Sequence, residues 1–106
     1  MSAPAFAQTP SPPYYAVIFT SVRTDGDNDY ERTAEEMLAR AAAQPGFLGF
    51  ESARNEIGIS VSYWASEEAI TAWKANAVHR QAQGRAKDWY EHFRVRVCRV
   101  EREYGY

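Results

Sequence analysis

The chain reads as an α+β protein of the ferredoxin-like kind, βαββαβ, with its helices on one face of an antiparallel sheet. Two observations predict this. Strand-like and helix-like stretches alternate in the order strand, helix, strand, strand, helices, strand. The first strand, Tyr14 to Arg23, carries apolar side chains on both sides (Tyr15, Val17 and Phe19 against Ile18 and Val22), so both its faces must be covered. Helices cover one. A second copy of the sheet, packed face to face, would cover the other and make a dimeric α+β barrel.

The elements follow in order. Residues 1–13 hold four of the five prolines, which neither pair in a sheet nor continue a helix, so a flexible N-terminal arm is expected, with a strap across a partner through Phe6 as its alternative. Residues 14–106 are expected to form the folded domain. Tyr14 to Arg23 is strand one, rich in β-branched and aromatic residues. Thr24 to Asn28 is a turn, and Asp27 or Asp29 caps the first helix. Tyr30, Ala34, Met37, Leu38 and Ala41 recur at helical spacing, and Gln44-Pro45-Gly46 ends the helix.

Phe47 to Arg54 and Ile57 to Trp64 are strands two and three, joined through Asn55-Glu56 as a hairpin. Alternation sends Ile57, Ile59, Val61 and Tyr63 to one face and Gly58, Ser60, Ser62 and Trp64 to the other. The second face is small until Trp64, which leaves room for a ligand or for helix side chains. Ser66 caps the next helix, with Glu67 and Glu68 in its first turn, where the helix dipole favours acids. The pattern changes phase at Ala75-Asn76. A further helix is expected to run to Trp89 on a stripe of Val78, Ala82, Ala86 and Trp89. Phe93 to Tyr104 alternates apolar and charged residues and is the last strand, long enough to reach a partner.

Composition narrows the function. One domain is expected from 106 residues. The net charge of −2 and pI of about 5.7 speak against nucleic-acid binding. The arginines at 94, 96, 99 and 102 interleave with Glu101 and Glu103, which suits a solvated strand. The single cysteine, Cys98, allows no intrachain disulfide and suits a reducing cytoplasm. No secretory signal and no membrane span are expected. His79, His92 and Cys98 lack metal-ligand spacing, so no metal site is expected. Aromatics at 14% exceed what a small core needs, which points to a ring-lined pocket or interface.

That pocket is expected around Tyr63 to Tyr90, the stretch holding all three tryptophans and one of the two histidines. Trp64 and Trp73 together beside the small face of strand three could flank a planar ligand, although each alone is more often core. His79, with an ordinary pKa of about 6.5, suits a general base toward a phenol; a histidine satisfied at a helix start is the bland alternative. Gln83 lies one turn along. Tyr63 could donate a hydrogen bond to a ligand or serve a dimer. Arg85 could hold an anion or pair with Asp88.

Pro45-Gly46-Phe47-Leu48-Gly49-Phe50-Glu51, then Tyr63-Trp64 with Ser66, Glu68-Ala69 and Trp73, then His79-Arg80, resembles the antibiotic biosynthesis monooxygenase family over roughly residues 14–104. The tail, with Gly84-Arg85, Trp89-Tyr90 and the run from Val95 to Tyr104, resembles a branch without assigned activity. The resemblance implies a homodimeric α+β barrel with a cleft between helices and sheet. Some members oxidise aromatic polyketides with oxygen and no cofactor, some bind and open haem, and others have no established activity. Trp73 matches the tryptophan of the haem-opening members; their histidine falls near Gln83, and strand one offers Thr20 and Ser21 where they carry asparagine. The expectation is therefore a cofactor-independent monooxygenase of a small aromatic or polycyclic phenol. The alternatives are a haem-binding or haem-degrading protein and a non-enzymatic small-molecule-binding dimer.

Overall fold

In the computed structural model, residues 6–106 are described. Four strands, β1 (Tyr14–Arg23), β2 (Phe47–Arg54), β3 (Gly58–Trp64) and β4 (Tyr90–Val100), form one antiparallel sheet in the order β2-β3-β1-β4. Helices α1 (Tyr30–Ala42), α2 (Glu67–Lys74), α3 (Ala77–Gly84) and α4 (Ala86–Trp89) fill the two crossovers. This is the ferredoxin-like arrangement the element order predicts.

Local chemistry places each element. The αL backbone at Asn28 (φ 51°) and Asp29 (φ 66°) turns the chain into α1, and Asp27 Oδ1 accepts from the Glu31 amide at 3.3 Å. Gly46 ends the α1–β2 loop at φ +88°, where a side chain would be strained, and a Cβ there would meet Ala69 Cβ at 2.7 Å. Ser66 Oγ accepts from the Ala69 amide at 3.1 Å and starts α2.

Two boundaries differ from expectation by more than a residue. The stretch after Ala75-Asn76 breaks again at Arg85, so Ala86 and Trp89 belong to the short α4. There Trp89 turns under the β1–α1 loop: its Nε1 donates to the Asn28 carbonyl at 2.9 Å, and Thr24 Oγ1 donates to the Asp88 carbonyl at 2.7 Å. Val78, expected on the same stripe, has a side chain outside the described residues. The last strand spans Tyr90–Val100 rather than Phe93–Tyr104. A bulge at Val22/Arg23 lets Tyr90 pair with Arg23, and β1 begins at Tyr14 opposite Val100, so the residues beyond have no strand to pair with.

Direct pairing puts partners on one face, which gives the helix side of the sheet a grid. One row across it is Arg54, Gly58, Ser21 and Phe93. The next is Ser52, Ser60, Phe19 and Val95, then Phe50, Ser62, Val17 and Val97. Trp64 and Phe47 close the far end. Phe93, Val95 and Val97 are each about half exposed, so the helices leave the β1/β4 half of this face open as a groove.

The opposite face carries Tyr14, Ala16, Ile18, Val61, Tyr63 and Ile59. The N-terminal segment lies against its β2 edge. Ala7 packs on Gly49 and donates its amide to Glu51 Oε2 at 2.9 Å. Ile57 and Ile59 remain exposed at 55% and 47%.

Candidate active site

Three rings form a stack between sheet and helices. Trp64 of β3 lies 6.4 Å from Trp73 of α2 at 24°. Trp73 in turn lies 4.6 Å from His79 of α3 at 9°. The capped start of α2 sets the Trp73 position, and the turn at Ala75-Asn76 leads into α3, from which His79 stacks on Trp73. Trp64 is 1% exposed and its Nε1 donates to Ser62 Oγ at 2.9 Å. It buttresses Trp73 and has no open face of its own. The two tryptophans expected to flank a ligand stack on each other in this arrangement, with Trp73 half-buried.

His79 is the chemically distinct member. Its Nδ1 lies 3.1 Å from the Trp73 carbonyl oxygen. A carbonyl only accepts, so the neutral ring carries its proton on Nδ1 and its lone pair on Nε2. Burial holds the imidazole below its ordinary value of 6.5, the Trp73 carbonyl acts the other way, and the Lys74 charge adds to the lowering. At neutral pH the ring is therefore an uncharged base with a defined accepting nitrogen.

The remaining predicted residues lie elsewhere. Tyr63 points to the opposite face, where its hydroxyl donates to Glu51 Oε1 at 2.7 Å and its ring meets Tyr14 edge-on. Burial, then the bond to Glu51, pushes that phenol up to about 12. Arg85 pairs with Asp88 at 3.3 Å, stacks over Trp89 and donates to the Asn28 carbonyl at 3.1 Å, so it serves the α4 junction. Gln83 lines a shallow depression between α2 and α3 with Thr71, Lys74 and Arg80.

Residues the sequence reading did not single out line the other end of the groove. Phe19 stacks with Phe93 at 5.5 Å and meets Tyr90 edge-on at 5.1 Å. Tyr90 meets Tyr30 of α1 at 5.6 Å and 90°. Their common signal is parity: Phe19, Ser21 and Phe93 share a face with Trp64, but this is visible only once the β1–β4 register is known.

A family model described as "Antibiotic biosynthesis monooxygenase" matches residues 13–85. The chain belongs to the antibiotic biosynthesis monooxygenase family. It is 49% identical over 100 residues to the uncharacterized protein YqjZ of Bacillus subtilis (strain 168), covering 92% of this chain and 88% of that one. Its fold is similar to that of SnoaB, a cofactor-independent oxygenase from Streptomyces nogalater solved as a mutant. There the TM-score is 0.75 at 12% identity, with 85% of this chain and 95% of that chain covered. PA3566 from Pseudomonas aeruginosa is similar at TM-score 0.70 and 13% identity, covering 89% and 98%. At these identities the structural likeness carries the family fold, and the chemistry has to be argued from the groove itself.

Proposed function

We propose that this family member is a cofactor-independent monooxygenase of a small aromatic or polycyclic phenol, with His79 as its general base. The observation that carries the reading is the His79 Nδ1–Trp73 carbonyl contact at 3.1 Å, which leaves Nε2 as the accepting nitrogen. In this reading the phenol lies in the open groove and gives its proton to Nε2. The electron-rich phenolate then reacts with oxygen. One oxygen atom becomes a ring carbonyl as a C–H bond is replaced, and the other leaves as water, with the substrate supplying all the electrons. The fold shared with SnoaB supports oxygen chemistry without a cofactor. Trp64 contributes by holding Trp73, and Trp73 by holding His79.

Two copies are proposed to meet through the sheet face bearing Ile57, Ile59 and Tyr63. The test of activity is oxygen uptake with hydroxylated naphthalenes and anthrones. One oxygen consumed per quinone formed is expected, and His79→Gln should lower turnover by roughly 10²-fold or more, the usual worth of a general base. Unchanged turnover in that variant removes the proposed base.

A haem-binding reading draws on the same Nε2 lone pair, since an imidazole whose other nitrogen donates to a carbonyl would be held in the tautomer that can ligate a metal. Gln83, one turn along α3 from His79, lines a depression with Thr71, Lys74 and Arg80. A haemin titration separates the two: a saturable Soret band lost in His79→Gln supports haem, and nonspecific absorbance alone discards it.

A further inference from the structure

At the end of the groove away from Trp64, one row of the sheet holds a cation without an acid. Arg54, Gly58, Ser21 and Phe93 stand side by side across all four strands. Arg54 Nη2 donates to Ser21 Oγ at 2.6 Å, and Ser21 is only 3% exposed. Gly58 makes this possible, because a Cβ there would run into the Arg54 guanidinium. Three ion pairs occur among the described residues, and Arg54 is in none of them. Of its five N–H donors one is committed, to a neutral hydroxyl.

A second guanidinium stands close by and is equally without a carboxylate. Arg23 lies over the Tyr30 ring at 3.6 Å and donates to the carbonyls of Trp89, Gly26 and Asp27. Both positive charges act on the Tyr90 phenol, whose ring meets Tyr30 edge-on at 5.6 Å. Neither guanidinium is ion-paired with a carboxylate among the described residues. On the same face of the sheet Phe19 and Phe93 are stacked, with Phe93 50% exposed.

We propose that Arg54 and Ser21 form an anion-binding corner that holds the carboxylate of an aromatic acid, whose ring rests on Phe93. A guanidinium edge matches a planar carboxylate through two parallel hydrogen bonds. The exposed ring next to it selects an aromatic acid over a bare inorganic anion. Gly58 lies six residues along β3 from Trp64, about 20 Å at the ordinary strand rise. The corner therefore acts independently of His79, and the two readings fail separately.

Calorimetric titration with 2-naphthoate and its neutral methyl ester tests this. The unaltered protein is expected to bind the acid at least about tenfold more tightly, the effect of one charge-assisted contact. Arg54→Met should bring the acid-to-ester ratio close to one while leaving the ester's affinity unchanged. Gly58→Ala keeps the charge but pushes the guanidinium off Ser21, and it should lower the ratio too. His79→Gln should leave it intact. Equal affinity for acid and ester, binding of neither, or a ratio that survives in a folded Arg54→Met protein would overturn the proposal. So would displacement of naphthoate by inorganic phosphate at equal concentration.

Discussion

The imidazole of His79 is defined by what touches it. The Trp73 carbonyl fixes the tautomer and the stacked indole fixes the ring plane. Turnover should therefore need the neutral ring, rise with pH through a midpoint below 6.5, and stay level above it. Stability follows the same sign. The folded ring binds its proton less readily than the unfolded one, so the unfolded chain holds more protons between the two midpoints. Stability is lost as pH falls below 6.5 toward the folded midpoint, and His79→Gln should flatten that part of a urea-midpoint profile against pH. Trp64 behaves differently: Trp64→Ala should cost roughly 3–5 kcal/mol by urea unfolding, as a fully buried ring does. The grouping of Trp64, Trp73 and His79 was legible from sequence, because strand parity and helix spacing converge on it. That the two tryptophans stack on each other was not, since ring packing depends on how α2 settles against β3. Arg54 escaped notice because its partners, Ser21 and Gly58, sit on two other strands.

The strands were the most readable elements. β1 and β2 run over the residues their β-branched and aromatic content predicts. β4 was misplaced because its own alternation extends past Val100, whereas its real limits are set by where β1 starts and where the bulge at Val22/Arg23 lies. A pattern within one strand cannot report its neighbour's ends. The stop before β2 is enforced twice, by the φ of +88° at Gly46 and by Ala69 Cβ at 2.7 Å from any side chain there. Gly46→Ala should destabilise by roughly 1–2 kcal/mol from the backbone alone, and by more once Ala69 is displaced. Ser66→Ala, which removes the α2 cap, should cost about 1 kcal/mol. Both are read from chemical denaturation midpoints.

For the whole molecule, the two sheet faces divide the work. The helix face keeps a half-open apolar side at Phe93, Val95 and Val97, with Arg54 in the same row as Phe93 and outside any ion pair among the described residues. The opposite face is closed in part by the segment around Ala7 and leaves Ile57 and Ile59 exposed. If that face joins two copies, light scattering should give about twice the 12.0 kDa chain mass, and Ile59→Glu should shift it toward the single-chain value. An unaltered protein that scatters as a single chain would refute the proposed pairing. No helix among the described residues is long and apolar enough to cross a membrane.

The most direct test of the proposed base is nitrogen-15 NMR of the imidazole rings as a function of pH. With two histidines in the chain, His79 is assigned by its absence in His79→Gln. The account predicts a neutral ring protonated on Nδ1, titrating below 6.5, whose Nε2 shift moves when a phenol is added. A ring protonated on Nε2, or one titrating above 6.5, would contradict it.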